Sequence, residues 1–457
     1  MIDAVVTGNS LPALAAALDL AELGLRVRVV DRGDAVRALD GPALDGDGAL
    51  RDLMAHLAAP IAEGDDVDVQ VAPLLVPPAP VWLKDARGGW TRQPLPAVSG
   101  VPAVPLAHEA LAVLGSGAAF RAYLDRIAPL LTIGKTRRLG ALVDKRLGPR
   151  VRERLVEPFA IERFGVGAAD VDAAVAAPGL NEAMSRSGAL TGGVLAETDR
   201  DVARETAVVP TGGWDALDVA LRRRLRAYDV DFTDAPPAAV ERSATGWRVR
   251  DDAGTVTEAR ALVVDVGRSA AAVPPALDAE TAEALRDVLQ MMRVRTRARV
   301  RVIAPDDAPE DAVRLLRCVT VPGEARVGAQ ASETWAVRLE RQESGHWVAM
   351  LAGPAATPDT DHTAAPVSVA ALARVLEAAA VREAPGAEWM VLQVSAEVPT
   401  LEDRARERSA AAAFAEDHAG ALLVVGRRVH EDSLAAAVQS AREGSVPLRR
   451  HLTGIAD

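Results

Sequence analysis

The sequence contains one cysteine, Cys318, which excludes an intrachain disulfide and a thiolate metal site. Its histidines are few and scattered: His56, His108, His346, His362, His418, His430 and His451. None stands at the His-x-x-x-His spacing of a zinc helix, so no metal centre is expected. Lysine is nearly absent, with only Lys84, Lys135 and Lys145 among 52 basic side chains. Acidic residues outnumber basic ones, and the net charge of −12 argues against general nucleic-acid binding. No apolar run approaches the roughly 20 residues needed to span a bilayer. The first residues read as a strand and not as a basic leader, so no cleavable signal and a cytoplasmic location are the expectations.

What remains is a chain of 457 residues, 49% hydrophobic and 25% charged. That is a soluble globular profile, in a chain too long for one ordinary domain. The rest is organised around the stretch from Asp3 to Arg32. A short apolar strand, Ala4-Val5-Val6, runs into a turn at Gly8. Pro12 stands where a helix starts, a favoured place for proline. An alanine- and leucine-rich helix follows and stops at Gly24. The strand Val27–Val30 then ends at Asp31. This is the order of a dinucleotide-binding βαβ unit, with an acid about 20 residues after the turn where it can hold a ribose hydroxyl.

The fingerprint in that turn is degenerate. Gly-x-Gly-x-x-Gly becomes Gly8-Asn9-Ser10-Leu11-Pro12-Ala13. Gly8 keeps the tight turn, and Ala13 is an accepted third position. Ser10 replaces the glycine that lets a pyrophosphate approach the backbone. Two readings of the turn stay open: a dinucleotide site, or a βαβ unit that binds nothing there. The candidate site residues at this end are Gly8, Asn9, Ser10, Leu11, Ala13, Asp31 and Arg32.

Further along, residues 50–58 read as a helix and Val67–Val76 as a strand. Val81–Lys84 and Gly89–Thr91 read as a hairpin. Residues 106–185 are mostly helical. Within them GKTRRLGALVDKRLGPRVRERL is basic and reads as a solvated helix face; peripheral membrane contact is not favoured, since few aromatics accompany it. Pro210-Thr211-Gly212-Gly213-Trp214 opens a helix over 215–228, followed by a strand at 230–233. A strand pair at 239–241 and 247–251 is followed by a third strand at 255–258 and an apolar strand, Ala261–Asp265. From Met292 to Met390 alternating segments predict an antiparallel sheet with a helix at 367–381. A helix at 401–418, the strand Leu422–Val425, Gly426 and a helix from about 433 to 442 close the chain, with Asp432 as its N-cap. Trp82, Trp90, Trp335 and Trp347 are candidates for pocket lining or for sheet packing, and Cys318 for a small core residue.

The ordered set LVEPFAIERFGVGAADVDAAVAAPGL (155–180), PTGGWDALDVALRRRL (210–225) and ALLVVGRRVHEDSLAAAVQSAREG (421–444) resembles the flavin-dependent amine oxidase superfamily, and within it the protoporphyrinogen oxidase-like proteins. The likeness runs through most of the chain. It implies an α/β fold with a Rossmann-type FAD/NAD(P)-binding domain in three segments, at 1–60, 200–275 and 390–457. A mixed α+β substrate domain would occupy 61–199 and 276–389, with a helical insertion at about 106–185. It implies FAD as cofactor and hydride transfer from a small organic substrate to the flavin. It adds Gly213, Trp214, Gly426 and Arg427 to the cofactor-binding candidates and assigns no catalytic side chain, because in this family the flavin carries the chemistry.

The sequence departs from that family where FAD would touch protein. No Gly-Gly pair follows Asp31 in the segment 32–41. Pro237 falls where the family offers adenine a backbone N–H, and proline has none. Gly426-Arg427 replaces Gly-Asp, and Arg428-Val429-His430-Glu431-Asp432 replaces the glycines before the last helix. A porphyrinogen substrate is put in doubt by Pro80 and Val81, where an arginine is expected, and by Pro399–Glu402. Three functions follow: an FAD-dependent oxidoreductase with a diverged site; a non-catalytic relative binding a small molecule or a protein; or a nicotinamide-dinucleotide binder using Asp31.

Overall fold

The computed structural model describes residues 2–30, 41–62, 64, 66–85, 87–128, 136–270, 277–323, 332–356, 367–418 and 420–454. The chain divides into two compact units. The first comprises Met1–Pro78, Arg204–Met292 and Glu407–Asp457; the second comprises Ala79–Ala203 and Arg293–Arg406.

The first unit is built on a seven-stranded sheet. Its parallel part runs Asp231–Thr233, Val27–Val30, Ile2–Thr7, Val256–Asp265 and Leu422–Val425. These strands are short apolar runs because both faces of the sheet are covered. Ala4, Val6 and Val263 pack on one side with the helices Leu11–Ala21, Gly213–Ala227 and Leu434–Thr453. Val5, Leu262 and Val264 face Trp247, Leu285 and Val288 on the other. Every residue of Leu11–Ala21 is buried. Its alanines leave room for the closing helix Leu434–Thr453, which packs against it.

Two elements differ from the sequence reading. The strands expected at 255–258 and 261–265 are one strand, Val256–Asp265. Its first half pairs antiparallel with Gly246–Asp251, and its second half pairs parallel with Leu422–Val425. The change of pairing partner, not a break in the chain, explains the change from alternating to continuous apolar sequence. The closing helix does not end at Gly444 but continues through Pro447 to Thr453. Packing of Leu448 and Leu452 into the core outweighs the local helix-breaking tendency. A small sheet of Ala43–Leu44, Ala207–Pro210 and Pro73–Val76 was not expected.

The second unit carries an antiparallel sheet in the order Met390–Ser395, Val294–Val302, Trp347–Ala352, Ser332–Arg341 and Arg314–Pro322, extended by the hairpin Trp82–Lys84 and Trp90–Arg92. The helix Val369–Ala378 covers one face. Leu316, Ala336 and Ala352 lie under the helical segment on the other. The basic stretch is not wholly a solvated face: Arg146 is buried and Arg152 pairs with Asp144 and Glu157. No helix among the described residues is long and apolar enough to cross a membrane.

Arg146 explains itself through Asp125, which is 0% exposed. The Arg146 guanidinium donates to the Asp125 carboxylate and to its backbone carbonyl. The other carboxylate oxygen accepts from the Thr191 N–H at 2.9 Å and its hydroxyl at 3.0 Å. Removing one partner of such a pair leaves an uncompensated buried charge, at a cost of about 3–5 kcal/mol. Asp125→Ala is expected to lower the unfolding free energy by about that amount in a denaturant titration; a change below about 1 kcal/mol contradicts the burial argument.

Candidate functional site: the carboxyl edge of the parallel sheet

In open α/β sheets ligands lie outside the carboxyl ends of the parallel strands. Here three turns meet at that edge. The opening strand passes through Gly8 at φ +127° into the opening helix. The long strand ends at Asp265 and turns through Gly267 at φ +66°. The strand Leu422–Val425 ends at Gly426, again at φ +127°.

The half-buried Asp265 side chain joins them. One carboxylate oxygen accepts the Ser10 backbone N–H at 3.0 Å, and the other accepts the Gly267 N–H at 2.8 Å. A Cβ on Gly8 would lie 2.6 Å from that carboxylate, and one on Gly426 would lie 3.1 Å from it. Ser10 occupies the helix N-cap position, yet its side chain makes no cap hydrogen bond. Its hydroxyl oxygen is buried without a partner. The N-terminus of a helix favours negative charge through its free N–H groups and its dipole. Asp265 supplies that charge from within the chain. The sequence reading missed this residue; the signal available was a lone acid ending a strand that is otherwise apolar, at the edge where this fold binds ligands.

The closing turn is held by a second set of charges. Arg427–Val429 forms a short 3-10 turn, and Glu431 and Asp432 follow with φ of 52° and 58°. Left-handed backbone at such residues costs of order 1–3 kcal/mol each and persists only where neighbours enforce it. Arg268 does so through Asp432, with Nε 2.8 Å from Oδ1 and Nη2 3.2 Å from Oδ2. Arg427 donates to the Asp432 carbonyl at 2.9 and 2.6 Å. Asp432 therefore is not the N-cap of the last helix. Ser433 is, accepting from the Ala436 N–H at 3.2 Å. His430, between these residues, is pushed down to about 4 by burial.

The other candidates divide as follows. Asn9, Leu11 and Ala13 are buried in and after the opening turn. Asp31 and Arg32 lie outside the described residues. Gly213, at φ +81°, starts the helix Gly213–Ala227, and Gly212 abuts Gln70. The Trp214 indole donates to the Gly41 carbonyl at 2.9 Å. Pro237 begins a strand whose register shifts between Pro237 and Ala239. Trp335 and Trp347 are core residues of the second unit, and Trp82 and Trp90 pack against the same cluster. Burial pushes the Cys318 thiol up to about 12, with Glu162 and Glu157 adding to it, which makes it a poor nucleophile. No group of three or more His, Cys, Asp and Glu side chains among the described residues is placed to hold a metal.

One donor fits FAD, since Ser10 keeps an N–H at a helix N-terminus, but the space beside Gly8 and Gly426 is filled by Asp265 and the Gly267 backbone. The charges do not fit a resident flavin, because the anion position is already taken by Asp265 and the closing turn is tied by Arg268, Asp432 and Arg427.

Two measurements follow. Ser10→Ala is expected to change stability by less than about 0.5 kcal/mol, unlike the usual N-cap loss of about 1, because this hydroxyl caps nothing. A denaturant titration showing a loss above about 1 kcal/mol refutes that. His430 is harder to protonate folded, at about 4, than unfolded, at 6.5. The unfolded chain thus binds the extra proton between those values. Stability is full above pH 6.5 and falls as pH drops toward 4. His430→Gln is expected to flatten that part of the pH–stability curve; an unchanged slope refutes the assignment.

No protein-family model and no curated protein matches the sequence. Solved structures do match. A protein from Exiguobacterium sp. 255-15, provisionally named a protoporphyrinogen oxidase, is 14% identical over 98% of each chain, with a TM-score of 0.60. Reduced UDP-galactopyranose mutase is 13% identical over 100% of this chain and 96% of its own, with a TM-score of 0.57. Cyclohexylamine oxidase from Brevibacterium oxydans IH-35A is 14% identical over 99% of both chains, with a TM-score of 0.53. The chain shares its fold with these proteins.

Proposed function

We propose that the protein is an oxidoreductase of the flavin amine oxidase type that uses FAD as an exchangeable group, not a resident one, to oxidise a small organic substrate. The observation that supports it is the Ser10 N–H at the N-terminus of the opening helix, engaged by a negative oxygen 3.0 Å away. That turn keeps a donor of the kind that receives an anion, engaged here by the chain's own Asp265. FAD, when bound, would supply the hydride acceptor. The chain's part is to present the Ser10 donor at the N-terminus of the opening helix.

The departures set the affinity. Each lost hydrogen bond is worth about 0.5–1.5 kcal/mol, so four losses total ~4 kcal/mol. At about 1.4 kcal/mol per tenfold, nanomolar binding becomes micromolar. A second reading, a non-catalytic relative, is favoured by one observation: Arg268, Asp432 and Arg427 pair with one another where the family leaves backbone for the flavin.

Absorbance of the purified protein and a titration with FAD separate the two. The proposal expects less than stoichiometric flavin as isolated, and saturable binding with a dissociation constant of about a micromolar. A colourless protein that ignores FAD up to about a millimolar rejects the first reading and leaves the second.

A further inference from the structure

We infer that Asp265 is a built-in substitute for a pyrophosphate: the chain's own carboxylate holds the anion position of its nucleotide turn, and a diphosphate ligand enters only by displacing it. The inference rests on the reading of this edge as a dinucleotide cleft.

Four observations carry it. The carboxylate is bonded on both sides, by the Ser10 N–H at 3.0 Å and the Gly267 N–H at 2.8 Å. The first donor belongs to the opening turn, 255 residues away in sequence, so this is a tertiary contact and not a local turn. Gly8 is required by Asp265 itself, since a Cβ there would lie 2.6 Å from its side chain, and Gly426 is required by the Gly267 backbone that Asp265 holds. Where the pattern has lost a glycine, at Ser10, no such close approach restricts the residue, and its buried hydroxyl stands without a partner.

Charge completes the argument. A diphosphate and an ionised carboxylate cannot share one N–H at contact distance, because like charges there repel and the donor serves only one of them well. Asp265 therefore acts as an internal competitor. It lends the ligand-free turn a satisfied helix end. It also sets the affinity for any ligand whose recognition passes through a diphosphate, FAD and ADP alike. Neutralising the side chain without changing its shape removes the competitor and leaves the donor.

The test compares the native full chain with Asp265→Asn, and with Asp265→Ser as a shorter neutral variant should the first not fold. Folding is checked by circular dichroism, and ligand-free melting is recorded. FAD and ADP are titrated into each protein by calorimetry. The inference expects a lower melting temperature in the variants without ligand, and at least a tenfold tighter binding of both FAD and ADP. Equal affinities in native protein and variants overturn it while leaving the proposed function in place. Binding by a folded variant with none by the native protein supports it and removes the proposed function. No binding by any of them overturns both.

Discussion

The hydrogen bond from the Ser10 N–H to the Asp265 carboxylate is the contact on which the edge of this sheet depends. A helix that starts in the interior leaves N–H groups facing inward, and these need an acceptor. The opening helix is buried along its whole length, and Ser10 before it is half-buried. The chain answers with a carboxylate at the end of the neighbouring strand. Gly8 has no Cβ to press on that side chain, Gly267 turns back to donate a second hydrogen bond, and Gly426 leaves room for the Gly267 backbone.

The closing turn follows the same principle with different residues. Two consecutive left-handed residues, Glu431 and Asp432, are held by Arg268 and Arg427. In both places a charged side chain of the chain itself satisfies the turn. Neither arrangement changes the fold. The fold rests on apolar packing on the two faces of the sheet, and those faces are intact.

Much of the architecture was legible because burial on both faces writes short continuous apolar strands into the sequence. Ala4–Val6, Val27–Val30, Ala261–Val264 and Leu422–Val425 are all of that kind, and all lie in one sheet. The antiparallel strands of the second unit were legible from alternation, since each has one face toward the helix Val369–Ala378. What was not legible depends on partners far away in sequence. Val256–Asp265 looked like two strands because its neighbour changes midway. The last helix passed through Gly444 and Pro447 because its apolar face is buried. Asp432 looked like a cap by position, but Arg268, 164 residues distant, claims it. Asp265 was read as the end of a strand; only the return of the opening turn to its side gave it a role.

The central claim concerns one carboxylate and two amides, and nitrogen-15 NMR reads them directly. Protein labelled in serine and glycine, with the Ser10 signal assigned through Ser10→Ala and the Gly267 signal through Gly267→Ala, is titrated with acid in the absence of ligand. If Asp265 holds both amides, the Ser10 and Gly267 resonances shift together along one titration curve, and both shifts disappear in Asp265→Asn. A Ser10 amide that does not respond to the ionisation of Asp265 contradicts the claim.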